Sequence, residues 1–280
     1  MEAKKVWFVT GASNGLGLAL VRKLLADGNQ VAATSRNLQS LVEKVGTPSG
    51  TFLPLAVDLT DNGNVRDAIA ACVNHFGRID VVVNNAGFGL IGTVEELTDR
   101  EVKDNFNVNV FGALNVIRNA APHLRQQRSG HILNIASIGG YAGGFPGFGI
   151  YCATKFAMAG FTEGLAEEMS DFGVYATVVY PGYFRTNFLS KDAIKTAAVP
   201  IAAYTRARAS EQAHLEQIAG NQPNDPEKAA EVLIEVSKLE TPPVHFFLGE
   251  DAYALANQKT SLIQQTMAEH EKLGTSTKYQ

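Results

Sequence analysis

The residues "TGASNGLG", Thr10 to Gly17, follow the apolar run "KVWFV" and precede another apolar run, so three glycines stand where a strand ends and a helix begins. Glycine is demanded at such a junction when the turn needs a positive φ, or when something approaches the backbone too closely for a Cβ. The spacing G-x-x-x-G-x-G matches a dinucleotide turn: Gly11 for the bend, Gly15 for the approach of a pyrophosphate, and Gly17 for close packing of helix on strand. The helix start, with Ser13, Asn14 and Leu16 between the glycines, then offers free N–H groups and the positive end of its dipole to phosphate. Alone, the triplet also fits a plain strand-turn-helix connection, so its surroundings decide.

Outward from this turn, short β-branched runs alternate with longer helical patterns: "KVWFVT" then 15–28, "QVAATS" then 37–46, "TFLPLAV" then 61–76, "DVVVNNA" then 98–128. The rhythm continues with "HILNIAS", 150–172, "VYATVVYP", then 226–239 and "VHFFLG". The strands are almost wholly apolar, as strands buried on both faces must be. The pattern predicts a Rossmann-type, doubly wound α/β fold, with one parallel sheet of about seven strands and helices on both faces. No repeat or low-complexity linker divides the 280 residues, so residues 1–280 read as one domain. Residues 183–225 break the rhythm after "YPG"; rich in Ala, Arg and Gln and without a clear strand, they predict a helical flap over a substrate. Residues 251–280 form an amphipathic C-terminal extension that would cover a neighbouring subunit or the substrate mouth, with a frayed "GTSTKYQ" end.

Composition excludes several classes of function. The formal charge is −4, and no Lys/Arg cluster interleaved with aromatics is present to follow a nucleic-acid backbone. Cys72 and Cys152 are the two cysteines; their spacing supports neither a disulfide framework nor a zinc site. No apolar run reaches the length of a membrane span, and the six histidines show no paired ligand spacing, so no metal is expected. The expectation is a cytoplasmic protein without membrane or nucleic-acid partners.

About 20 residues beyond the glycine turn, a NAD-binding unit places a carboxylate for the ribose 2′-OH. Here the chain reads Thr34-Ser35-Arg36-Asn37, with no acid. Arg36 suits a 2′-phosphate and Ser35 adds a hydrogen bond, which favours NADP(H) over NAD; a solvated Arg at a helix start is the plainer reading.

The stretch "SIGGYAGGFPGFGIYCATK" carries Ser137, Tyr151 and Lys155. On a helix beginning near Ile150, positions 151 and 155 share one face. An ammonium beside the phenol favours the phenolate and lowers a pKa that starts near 10, which makes Tyr151 a usable general acid and base. Ser137 falls at the C-terminal end of a predicted strand, where open α/β sheets bind their ligands. Cys152, one helical step from Tyr151, faces about 100° away and reads as packed rather than nucleophilic.

With "TGASNGLG", "VDLT" at Asp58, "NNAG" at 84–87, "NVNVFG" with Asn109, Ser137, Tyr151/Lys155 and "YPG" in this order, the chain resembles the short-chain dehydrogenase/reductase family from about Lys4 to Gly182, more loosely to Gly249. The resemblance implies NADP-dependent carbonyl reduction or secondary-alcohol oxidation. It implies that Asn109, Ser137, Tyr151 and Lys155 are catalytic, with Asn109 holding a water at a helix kink. It implies that Asp58 and Leu59 border the adenine, that Asn85, Ala86 and Gly87 line the adenosine side, and that Pro181, Gly182, Phe184 and Thr186 flank the nicotinamide, which Lys155 anchors through its ribose beside Tyr151. It also implies a homodimer or homotetramer built on helices 98–128 and 150–172. Read without the resemblance, Asp58 is a helix N-terminal acid and Asn84 and Asn85 are turn residues. Ser137 and Tyr151 are fourteen positions apart, one more than is commonest in the family, and the intervening glycines would absorb the excess as a bulged loop.

Phe145, Phe148, Tyr183, Phe184, Phe188 and Leu189 are candidate pocket walls, suited to an apolar or aromatic ketone, aldehyde or secondary alcohol, although each aromatic also suits ordinary core packing. Two rival readings stand beside this one. The first is a 3-oxoacyl thioester reductase, kept open by Arg125 and Arg128 but opposed by Asp171-Phe172-Gly173, which would receive an acidic carrier poorly. The second is an NADPH-binding sensor without turnover.

Overall fold

Trp7, Phe8 and Val9 are each buried to within 1% of their surface, which a strand achieves only where helices cover both of its faces. A computed structural model describes residues 4–190 and 193–279; residues 191–192 of the expected flap, and the two ends of the chain at 1–3 and 280, lie outside the described residues. In chain order the first half runs β1 (Val6–Val9), α1 (Gly15–Ala26), β2 (Gln30–Ser35), α2 (Leu38–Val45), β3 (Phe52–Ala56), α3 (Asn62–Phe76), β4 (Val81–Asn84), β5 (Leu90–Ile91), α4 (Asp99–Phe106) and α5 (Gly112–Gln127). The second half runs β6 (Gly130–Ile135), α6 (Gly149–Ser170), β7 (Val174–Pro181), β8 (Lys195–Thr196), α7 (Thr205–Gln212), α8 (Pro226–Val236), β9 (His245–Leu248) and α9 (Glu250–Gly274).

Seven strands pair in the order β3-β2-β1-β4-β6-β7-β9, every pair parallel. These are the seven runs expected from sequence. The order reverses between β1 and β4, so the carboxyl ends of these strands open a crevice at the switch point. One apolar core packs Leu20, Leu24, Leu41 and Leu233 against one face of the sheet. The other packs Ile69, Cys72, Val116, Leu124 and Leu165 against the opposite face.

The structure differs from the sequence reading in three places. The helix expected over 98–128 is α4 and α5 joined by a π turn, Asn107–Phe111, a form that kinks a helix. A second, two-stranded parallel sheet joins β5 to β8, so residues 183–225 contain a strand as well as α7 and a π turn at Ala213–Ile218; two-residue strands carry no periodicity to read. The extension does not fold across the substrate mouth: Ala252 and Ala256 pack beside Ile138 and Tyr141, and every described residue from Ser261 onward is exposed. Among the described residues no helix is long and apolar enough to cross a membrane, and no group of three or more His, Cys, Asp or Glu could hold a metal ion.

Candidate active site

The glycine turn is sterically specified. Gly11 has φ +65°, and a Cβ there would lie 2.7 Å from the Cα of Ala86. At Gly17 a Cβ would meet Asn85 Nδ2 at 2.4 Å and the Gly11 carbonyl at 2.7 Å. Asn85 is the buckle of this turn: its Nδ2 donates to the carbonyls of Thr10 at 2.9 Å and Gly11 at 3.1 Å. The backbone N–H groups of Asn85 and Ala86 donate to Thr10 Oγ1. Gly15, at φ +55°, faces the Thr186 side chain, 3.3 Å from where a Cβ would sit. Asn84, expected in the turn, instead ends β4 and donates from Nδ2 to Asn134 Oδ1 at 2.8 Å.

A groove of about 1050 Å³ runs from this turn to the predicted catalytic residues. It is lined by Gly11, Ser13, Asn14, Gly15, Leu16, Ser35, Arg36, Asp58, Leu59, Asn85, Ala86, Gly87, Ser137, Tyr151, Lys155, Pro181, Gly182, Phe184 and Thr186. Of the residues predicted from sequence, Gly17 and Asn109 stand behind the wall. Ser35 Oγ donates to Ser13 Oγ at 3.1 Å, and Arg36 is exposed at the rim. The backbone N–H and hydroxyl of Thr60 hold the Asp58 carboxyl below its ordinary range, with Arg36 adding to the effect. Asp58 is therefore a turn acceptor; the N-cap of α3 is Asp61, whose side chain accepts from Gly63 and Asn64.

Asn109 occupies the π turn and is fully buried. Its Oδ1 accepts from the Phe88 N–H at 3.0 Å; its Nδ2 donates to the Phe88 carbonyl and to Thr154 Oγ1, each at 3.1 Å. The wider π turn thus delivers an amide that pins the segment after β4. Gly87 completes the fit, since a Cβ there would lie 3.0 Å from Asn109 Oδ1 and 3.5 Å from Lys155 Nζ.

Ser137 follows β6 and caps a 3-10 turn, Ile138–Gly140, its Oγ accepting from the Gly139 N–H at 3.1 Å. That turn and the loop after it take up the long spacing to Tyr151. Tyr151 and Lys155 lie on one face of α6, with Lys155 Nζ 5.9 Å from the phenol ring centroid. Both are buried, at 8% and 3% exposure. Burial draws the Lys155 ammonium down to about 7, while Nζ donates to the Ile135 carbonyl at 2.8 Å. Burial raises Tyr151 above its ordinary value, the Ser137 hydroxyl opposing the rise. This corrects the expectation that the lysine lowers the phenol's pKa here: the ammonium is itself desolvated and aimed at a backbone oxygen, so removal from water dominates. Cys152 is buried and raised to about 11, a packed thiol.

Around Tyr151 an apolar cluster gathers Phe148, Leu189, Phe145, Tyr183 and Phe188. Phe184, expected with them, borders the groove but packs against the sheet core. Two features escaped the sequence reading. Tyr183 Oη and His214 Nε2 lie 2.9 Å apart, with His214 Nδ1 2.7 Å from the Ser210 carbonyl; Nδ1 therefore carries the proton and Nε2 accepts from the phenol. Gln222, 1% exposed, lines the groove near Thr186, with its Oε1 lacking a partner among the described residues. No local motif marks either, because the partners are far apart in sequence.

The groove fits a nicotinamide dinucleotide on its own evidence: a turn whose Gly11 and Gly15 have positive φ and no room for side chains, and a buried orphan amide oxygen, that of Gln222, in the same groove beside Thr186. The short chain dehydrogenase family profile matches residues 5–196. The oxidoreductase BOA17 of Botryotinia fuckeliana is 36% identical over 263 residues, covering 92% of this chain and 94% of that protein. Human 17-beta-hydroxysteroid dehydrogenase type 1 is 32% identical, covering 89% of this chain and 78% of that one. Among solved structures, a short-chain dehydrogenase from Streptomyces avermitilis superposes with a TM-score of 0.90 at 34% identity, covering 99% and 100% of the two chains. ElxO with NADP bound superposes at 0.71 with 25% identity, covering 88% and 96%. The chain belongs to the short-chain dehydrogenase/reductase family, and its groove is that of a nicotinamide-dependent oxidoreductase.

Proposed function

We propose that the protein is an NADP(H)-dependent reductase of apolar or aromatic ketones and aldehydes, or equally a dehydrogenase of the matching secondary alcohols. The observation that carries this is that Ser137, Tyr151 and Lys155 line one groove together with the aromatic side chains of Phe145, Phe148, Tyr183 and Phe188. When bound, the nicotinamide supplies or accepts the hydride. Tyr151 Oη hands its proton to the carbonyl oxygen, and Ser137 Oγ hydrogen-bonds and orients that oxygen. Lys155 would hold the nicotinamide ribose, with its ammonium near the phenol of Tyr151. Asn109 fixes the neighbouring backbone and relays protons through water.

Arg36 and Ser35 would hold the 2′-phosphate, and Ser13, Asn14, Gly15 and Leu16 would offer backbone N–H groups to the pyrophosphate. Asp58 and Leu59 would border the adenine, Asn85 to Gly87 the adenosine, and Pro181, Gly182, Phe184 and Thr186 the nicotinamide. The whole chain acts as one domain, with residues 183–225 as its substrate flap, and works in the cytoplasm as a homodimer or homotetramer. The relatives support the reading: one is a 17-beta-hydroxysteroid dehydrogenase, and one structural neighbour holds NADP.

The test is a panel of apolar and aromatic ketones, aldehydes and 3-oxoacyl thioesters assayed with NADPH and NADH in parallel by coenzyme absorbance. NADPH consumption with the apolar ketones is expected. Coenzyme binding without turnover on any member would support a sensor instead, and preference for the thioesters would support the acyl-reductase reading.

A further inference from the structure

The flap leaves the sheet after β7 and returns before α8, and both stems meet at one carboxylate. Asp251, the second residue of α9, accepts the Tyr183 N–H on Oδ2 at 2.6 Å and Asn224 Nδ2 on Oδ1 at 2.8 Å. Asn224 Nδ2 also donates to the Tyr183 carbonyl at 2.9 Å, and the Arg185 N–H donates to the Asn224 carbonyl at 2.9 Å. Phe184 and Asn224 form an isolated parallel bridge. Residues far apart in sequence thus close a single node at the base of the flap.

The surrounding glycines are shaped to this carboxylate. A Cβ at Gly182 would lie 2.2 Å from Asp251 Oδ1, and one at Gly249, φ +104°, would lie 2.7 Å from the same atom. Both Asp251 partners are donors, so the position needs two acceptors. An asparagine there would satisfy one and press its NH₂ against the other. Asn224 cannot rotate its amide in compensation, because the same Nδ2 serves the Tyr183 carbonyl. Hydrogen bonds to a carboxylate are also the stronger kind.

We infer that Asp251 is a positioning residue for the active site: its carboxylate clasps both stems of the flap to the C-terminal helix and thereby fixes the Pro181–Tyr183 turn and the pocket wall that Tyr183 carries. Tyr183 is the strut. Its backbone is held by Asp251, and its phenol donates to His214. The His214 ring lies 4.5 Å from that of Phe148, which in turn meets the Tyr151 ring at 6.4 Å. A displaced Tyr183 backbone is therefore felt at the wall beside the reacting phenol, where small misplacements are costly. The inference rests on the reading of this pocket as the substrate site.

The test uses the full chain with D251N, N224A, their double variant and, as a control on the exposed part of the same helix, M267A. Hydrogen exchange without coenzyme or substrate reads the clasp directly: D251N and N224A should open residues 183–225 at least tenfold faster, with β1 and β4 unchanged and M267A matching wild type. In turnover assays D251N should raise the ketone KM tenfold or more with a smaller change in kcat, and the double variant should be no worse than the worse single one. Wild-type exchange in the flap of D251N would overturn the inference. So would a loss of melting temperature and active fraction with KM unchanged, additive losses in the double variant, or equal damage from M267A. If D251N does not fold, N224A is read by the same criteria. If no ketone is turned over, the reading of the pocket fails while exchange still decides the clasp.

Discussion

Lys155 Nζ donates to the backbone carbonyl of Ile135 at 2.8 Å while standing 5.9 Å from the centre of the Tyr151 ring. The lysine of the candidate active site thus spends a hydrogen bond on the sheet. It sits in a dry environment that pulls its pKa down to about 7.

That burial sets a stability slope. A lysine titrates near 10.5 when unfolded and near 7 here, so between these values the unfolded chain holds the extra proton and stability rises with pH. Above about pH 9 the trend is opposed by Cys72 and Cys152, raised by burial to about 12 and about 11, whose unfolded thiols ionise first. Urea midpoints of the coenzyme-free protein should therefore climb from pH 7 to 9, and Lys155→Met should flatten that climb. An unchanged slope in the variant would mean the lysine is solvated.

Coenzyme choice should turn on Arg36. Arg36→Leu removes a charge-assisted contact and should weaken NADPH binding roughly tenfold to a hundredfold, leaving NADH binding where it was. Fluorescence titration with both coenzymes reads this, and an equal loss for both would assign Arg36 a structural part.

Gly17→Ala should destabilise the fold by about 1–3 kcal/mol, the usual cost of overpacking, because the new methyl would meet Asn85 Nδ2 at 2.4 Å and the Gly11 carbonyl at 2.7 Å. Chemical denaturation measures it. A neutral substitution would show that the Asn85 buckle moves aside freely.

What was legible from the sequence follows from which forces are local. Strand burial writes itself into residue type, so all seven strands of the sheet were found, and the glycine turn announced itself because Gly11 and Gly17 answer to atoms a few ångströms away. The two-residue strands β5 and β8 carry no periodic signal. Tyr183 with His214 and Asp251 with Asn224 are bonded across long stretches of chain, with nothing local to mark them. The sign of the Tyr151 shift was missed for a different reason. Counting a neighbouring charge ignores desolvation, which a sequence does not display and which leads the rise at Tyr151.

The central claim is that Tyr151 gives up the proton of the reaction. The measurement is Tyr151→Phe, assayed for NADPH consumption with an apolar ketone and titrated separately with NADPH. A positioned acid contributes about 10²- to 10⁴-fold in rate, so turnover should fall by that much while coenzyme affinity stays near wild type. Wild-type turnover in the phenylalanine variant would contradict the account.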